Sequence, residues 1–342
     1  MVVRGMAFAV ALAALAPVTV AAQTLEAFYK GKDIKVLIGA GVGGTYGLYA
    51  QLAARHMRQY VPGQPVIILQ AMPGAGGIVA LNYSANAAPK DGSMMHLVHA
   101  EVLFETLMKP DSKFNARTFQ YIGRFADADS IGLVSRQSGI RSLDQVRQRE
   151  ITMGSTGRDT AFALGPLMLN RFGGTKFKVI AGYKGTADIH IAMQRGEVDG
   201  AAVTLANAQT IQGAALKSGE LVPIFAIAEK RIPDYPDVPT VTEFGRDTNE
   251  KAFLEIYTSS GTIGRALAFP PGVPKPFVQA LRDAFDKTIV DKEFLAEAQK
   301  TSTPLAPMSG EKLAAYVDKL MATPPEQVAA ARKINQELME EP

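Results

Sequence analysis

The sequence predicts an α/β protein of two lobes. Three observations carry that expectation. Short apolar runs of strand character alternate with helical patterns along the chain. A strand, a glycine-rich turn and a helix follow one another near residue 40, and again near residue 155. The 342 residues suit about two domains of ordinary size. A hydrophobic content of 47% is enough to fill sizeable cores.

The elements follow in order. Ile34-Lys35-Val36-Leu37-Ile38 reads as a short buried strand, and the turn Gly39-Ala40-Gly41-Val42-Gly43-Gly44 leads into a helix. Leu48, Tyr49, Leu52, Ala53, Met57 and Tyr60 share one face of that helix, and Pro62-Gly63 stops it. Val66-Ile67-Ile68-Leu69 is the next strand, ending in Met72-Pro73-Gly74-Ala75-Gly76-Gly77, with a helix from about Ile78. Met94 to Val98 is a third strand. The rhythm restarts near Tyr121, with strands at Ser130 to Ser135, Ile151 to Met153, Phe177 to Ile180 and Ala201 to Val203. Between them, Ser142 with Asp144 and Gln145 resembles a capped helix start. Gly154-Ser155-Thr156-Gly157 turns into a helix reaching Arg171, and Ala187 to Arg195 forms another. After a proline-rich link (Pro233, Pro236, Pro239) come amphipathic helices, the first with Phe277, Leu281, Ala284, Phe285 and Ile289 on one face.

Composition excludes several functions. Lys+Arg number 36 against Asp+Glu 33, a net charge of +3, with no dense basic run, so no footprint for nucleic acid is expected. Cysteine is absent, which removes disulfide scaffolds, thiolate metal sites and cysteine nucleophiles. Residues 1–22 carry one charge, Arg4, then the apolar run Met6 to Ala16 and small residues before Gln23. That pattern predicts a secretory signal peptide cleaved near Ala22. The run falls short of the ~20 residues of a membrane span and is followed by Pro17, which argues against an anchor. An exported chain without cysteine suits a bacterial periplasm.

The turn from Gly39 to Gly44 fits G-x-G-x-x-G between a strand and a helix, the dinucleotide fingerprint in its proper setting. A dinucleotide site also needs an acid at the end of the second strand, and no Asp or Glu occurs between Ile34 and Lys90. An exported oxidoreductase therefore stands as the alternative. The same loop has another use. The first N–H groups of a helix lack partners and carry partial positive charge, and glycines let an anion approach them without a nearby Lys or Arg. Gly43, Gly44, Thr45 and Tyr46 form one such turn. Ser155, Thr156, Gly157, Arg158 and Thr160 form a second, and Gly74 and Ala75 a third. Tight βα turns are common, but three in one exported chain favour a carboxylate or another anion as ligand.

Enzyme constellations are poor. Of the four histidines, His56 beside Arg55 is expected on the surface, and His96 and His99 would face opposite ways on a strand. No metal site, no H-E-x-x-H, no G-x-S-x-G and no cofactor is expected. Asp127 and Asp129 read as solvated charges rather than an acid/base pair.

Together the turns resemble a family. Gly43 to Tyr46, "MPGAGG" (Met72 to Gly77), "APKDGS" (Ala88 to Ser93), "GSTG" (Gly154 to Gly157), "GYKGTA" (Gly182 to Ala187), "GEVDG" (Gly196 to Gly200) and "PDVPTVTEFG" (Pro236 to Gly245) are similar, in this order, to the substrate-binding proteins of tripartite tricarboxylate transporters, the Bug family. The resemblance implies a two-lobed periplasmic binding protein of type II-like architecture, with a hinge and a ligand cleft. It implies one lobe from residues 23–125 and 227–342 and a second from 126–226. It also implies a receptor, not an enzyme, that is monomeric and hands a mono-, di- or tricarboxylate to membrane transporter subunits. The chain departs from the family pattern at Gly47, where an Asp is often found, at Ala71-Met72, and at Val203-Thr204, where an Asp often follows "GEVDGAA".

Energetics narrow the site. Micromolar affinity needs roughly −8 kcal/mol. One helix N-terminus contributes only ~0.3–2 kcal/mol, and a hydrogen bond to a charged group ~1.5–3 kcal/mol. Donors must therefore converge from both lobes, which gives closure a purpose. Arg158 and Arg265 are the cations of interest, with a packing or solvated role as the competing reading. His99 at its strand end and Thr204 complete the candidate rim. A receptor that signals rather than imports is a further possibility at this stage.

Overall fold

The computed structural model describes residues 25–158 and 160–340. The expected signal peptide lies outside the described residues.

The first half of the chain lays down β1 (Asp33–Ile38), α1 (Thr45–His56), β2 (Val66–Ala71), α2 (Ile78–Asn86), β3 (Met94–Leu97), α3 (Val102–Met108) and β4 (Gln120–Arg124). The middle adds β5 (Ser130–Ser135), α4 (Leu143–Gln148), β6 (Ile151–Ser155), α5 (Ala161–Gly173), β7 (Phe177–Ala181), α6 (Thr186–Gln194), β8 (Gly200–Thr204), α7 (Leu205–Thr210), α8 (Gly213–Ser218) and β9 (Leu221–Ile227). The last part holds α9 (Thr248–Ile263), β10 (Ala266–Phe269), α10 (Lys275–Thr288), α11 (Lys292–Lys300), β11 (Met308–Ser309), α12 (Gly310–Met321) and α13 (Pro325–Glu340).

Two sheets organise these elements, in the orders β11-β4-β10-β3-β1-β2 and β7-β6-β8-β5-β9. Each has three parallel strands followed by an antiparallel one; the first sheet then adds two more strands and the second adds one. In the first, Val36 pairs with Leu69 and Met95, and Leu267 of β10 runs antiparallel to Leu97. In the second, Met153 pairs with Val179 and Gly200, and Ile131 of β5 runs antiparallel to Val203. Two strands of the first sheet, β10 and β11, come after the whole second sheet. The chain thus crosses between sheets twice, through residues 125–129 and 228–265. Arg124 braces this junction. Its guanidinium donates to the carbonyl oxygens of Ala306 (3.1 and 2.8 Å) and Thr262 (2.7 Å).

The central strands are covered on both faces, so they read as continuous apolar runs rather than alternating ones. All residues of β3, β5 and β10 are buried. His96 is among them, fully enclosed with neither ring nitrogen hydrogen-bonded. Burial pushes its imidazole down to about 3, with His99 adding a smaller push in the same direction.

Two local expectations need correction. His56 is not on the surface; it is 8% exposed, with Nε2 2.6 Å from Glu297 Oε2 and its ring edge-on to Phe294. Ser142 precedes α4 but makes no side-chain cap; Gln145 Oε1 instead accepts the Arg141 N–H at 2.6 Å.

Candidate ligand-binding cavity

A cavity of about 410 Å³ opens between residues carried by the two sheets, in the size range of small-molecule sites. One wall begins at the N-terminus of α1. Gly44 occupies the cap position without a side-chain cap, and the first turn holds no acid. The opening N–H groups of α1 therefore keep their partial positive charge.

That first turn presents Tyr46. Its ring stacks on His99, with centroids 5.4 Å apart and planes 9° from parallel. Its hydroxyl oxygen accepts the Ala100 N–H at 2.9 Å. Burial pushes the hydroxyl up to about 12, with nearby Arg265 opposing the shift. The guanidinium of Arg265 lies over the same ring, 4.5 Å from its centroid, and Nη2 donates to Thr45 Oγ1 at 3.4 Å. Nε of Arg265 is buried and has no hydrogen-bond partner among the described residues. The nearby carboxylate of Glu101 pairs with His99 instead, at 2.5 Å from Nδ1. Arg265 is thus a cation on the cavity wall that is held by an aromatic face and one hydroxyl.

The turn from Pro73 to Gly77 gives His99 its position. Gly77 has φ +97°, and a Cβ there would lie 2.6 Å from His99 Cδ2. Only glycine lets the ring sit this close. Glu101 lies beyond the ring. Burial alone would raise its carboxyl, but the His99 contact and the Arg265 charge outweigh burial and hold it below the usual carboxylate value.

The opposite wall comes from the turn after β6. Thr160 caps α5, its Oγ1 accepting the Ala163 N–H at 3.3 Å. The same hydroxyl donates to Gly157 O at 2.9 Å and lies 2.9 Å from Ser155 Oγ. Ser155 and Thr160 therefore hold the turn together, while Thr156 is exposed. Thr204 Oγ1 caps α7 by accepting the Asn207 N–H at 3.3 Å.

Of the residues singled out from sequence, Tyr46, Ala75, His99, Thr156, Thr160, Thr204 and Arg265 line this one cavity. Thr45 lines an adjoining chamber of about 280 Å³, and Ala128, Thr204 and Arg265 border both. Gly43, Gly44, Gly74, Ser155, Gly157 and Arg158 line neither chamber. Gly43 and Gly44 are exposed on the loop, Gly74 is turned against Val79, and Ser155 is buried in its own turn. Sequence reasoning missed Glu101, Phe104 and Glu105, which come from α3 and its cap, and Tyr257 and Ser260, which come from α9. A single signal was available for the first group, the acids spaced i, i+4 just after His99. Asp127 and Asp129 are not simple solvated charges either. Burial, then Asp127 and more weakly Glu229, push Asp129 up to about 7 against the pull of Arg124.

Among the described residues no group of three or more His, Asp or Glu could hold a metal ion, and no helix is long and apolar enough to cross a membrane. The first glycine of the G-x-G-x-x-G turn packs against backbone, since a Cβ on Gly39 would lie 2.8 Å from Gly77 Cα. The second strand ends at Gln70-Ala71 with no acid.

The sequence pattern of the tripartite tricarboxylate transporter family receptor, TctC, matches residues 49–320. The chain belongs to that family. A UPF0065 protein of Cupriavidus necator is 28% identical over 291 residues, covering 82% of each chain. The TctC solute-binding protein of Polaromonas has a similar structure, with a TM-score of 0.68 at 19% identity, covering 89% of this chain and 99% of that one. MatC of Rhodopseudomonas palustris, solved with bound malate, gives 0.59 at 20% identity over 89% of this chain and 99% of its own. The two-lobed periplasmic binding fold is therefore shown, and the TctC family is one of solute-binding receptors. Nothing among these relatives supports the dinucleotide-linked alternative.

Proposed function

We propose that this chain is a non-enzymatic periplasmic receptor. It captures a small organic carboxylate in the cavity and delivers it, as a monomer, to the membrane subunits of a tripartite tricarboxylate-type transporter. In this reading residues 23–125 and 227–342 form one lobe, 126–226 form the other, and residues 1–22 are the export signal. The two connections between these lobes act as the hinge.

One observation carries the reading: Arg265 borders the cavity with a buried Nε that has no hydrogen-bond partner among the described residues. A buried guanidinium N–H left unpaired is costly, and a carboxylate suits its planar donors. The uncapped first turn of α1 adds dipole and N–H groups beside it. Tyr46, His99 and Thr156 complete the walls. MatC, a protein of similar fold, was solved with an organic acid, malate, bound.

The test is thermal unfolding of residues 23–342 with mono-, di- and tricarboxylates and aromatic acids. A ligand present at about 100 times its Kd stabilises by about 2.7 kcal/mol, enough to raise the melting temperature measurably. A folded protein whose melting none of these acids changes would rule the reading out.

A further inference from the structure

The cavity offers one anchoring cation and a largely apolar wall. Among the described residues that line it, Arg265 is the only lysine or arginine. Two acids share the lining. Glu101 Oε2 is 2.5 Å from His99 Nδ1, and Glu105 Oε2 is 2.8 Å from Lys109 Nζ. Lys109 lies outside the lining and is mostly exposed. Much of the remaining wall is made by Phe104, Phe162, Leu164 and Ile227.

A ligand carboxylate seated on Arg265 uses the one lysine or arginine among the described lining residues. A second carboxylate on the same molecule would leave water for a wall that offers hydroxyls but, among the described residues, two acids and no further Lys or Arg to supply a counter-charge. Desolvating a charge without a partner is unfavourable, and the like charges of Glu101 and Glu105 add to the cost. An apolar end gains instead, by removing its surface and that of the phenylalanines from water.

We infer that this receptor selects acids with one carboxylate and an apolar body, and that Glu101 and Glu105 reject a second carboxylate. The inference rests on the receptor reading above and narrows it to singly charged acids.

Hexanoate and adipate test it as a matched pair. They share a six-carbon chain and differ in whether the far end is a methyl or a carboxylate. Calorimetric titration of residues 23–342 should give hexanoate a Kd at least about tenfold lower than adipate. Glu101→Gln should narrow that gap by strengthening adipate more than hexanoate, and Glu105→Gln is a second variant with the same readout. Phe162→Ala should weaken hexanoate. Adipate binding as tightly as hexanoate, or a gap unchanged in both glutamine variants, overturns the inference while leaving a carboxylate receptor. If no carboxylate of any class binds, the receptor reading fails with it.

Discussion

Arg265 lies over the ring of Tyr46, distant in the chain, with its guanidinium carbon 4.5 Å from the ring centroid. The contact joins the segment just before β10 to the first turn of α1. It fixes the planar cation without neutralising it, since the ring supplies a quadrupole rather than a counter-charge. Glu101 and Asp127 feel that charge, but among the described residues neither forms an ion pair with it, so its donors remain available to a ligand.

Removing that cation should cost affinity rather than stability. Arg265→Gln is expected to weaken hexanoate by about 10- to 100-fold, the size of a lost hydrogen bond to a charged group, with little change in melting temperature. Arg265→Lys should fall between, because an ammonium keeps the charge but not the planar fork. Calorimetric titration of the three proteins checks the order.

Gly47 is buried in the first turn of α1, and the structure gives a reason for the glycine. A Cβ at this position would lie 1.9 Å from the carbonyl oxygen of Val42. Gly47→Asp should therefore destabilise by about 1–3 kcal/mol as the loop shifts to make room. It should weaken binding as well, by adding an anion beside the N-terminus of α1. Melting and titration of the variant are the measurements.

His96 predicts an acid-sensitive fold. Its folded value of about 3 lies below the 6.5 of an exposed imidazole. Between those two values the unfolded chain binds the extra proton, so this group lowers stability as pH falls through that window and has no effect above it. Each pH unit below about 6.5 should reduce the folding equilibrium constant about tenfold from this residue alone. His96→Leu, close in volume, should remove that slope in urea unfolding at pH 7, 6, 5 and 4.

Asp129 predicts the opposite sign. Its folded value of about 7 lies above the usual 3.8, so the folded chain holds the proton between these values. The stability it contributes is fully present below about pH 4 and is lost as pH rises to 7. Asp129→Asn should be more stable than the parent near pH 8, with the gain shrinking towards pH 4. The same unfolding series measures it.

Much of the architecture is legible in the sequence. The strands at Ile34, Val66, Met94, Ser130, Ile151 and Phe177 were found as apolar runs, because strands buried on both faces carry that signature. Helices with one apolar stripe, such as α1 and α10, were found by their spacing. α9 was missed because most of its faces are buried, including Phe253, Ile256, Tyr257 and Ser259, so it shows no stripe. The short helix α3 escaped for want of length.

The cavity was legible only in part. Glycine turns marked where Tyr46, Ala75 and Thr156 would be, since helix N-termini announce themselves locally. Glu101 and Tyr257 belong to the same wall through contacts made by distant elements, which no local pattern encodes. Ser155 and Gly74 were singled out for the right turns, yet they hold those turns rather than face the cavity.

The most direct measurement is a crystal structure of residues 23–342 grown with hexanoate. The expected result is a carboxylate within hydrogen-bond distance of Arg265 and the first-turn N–H groups of α1, with the alkyl chain against Phe104 and Phe162. An acid bound elsewhere, with Arg265 still facing solvent, would contradict the proposed site.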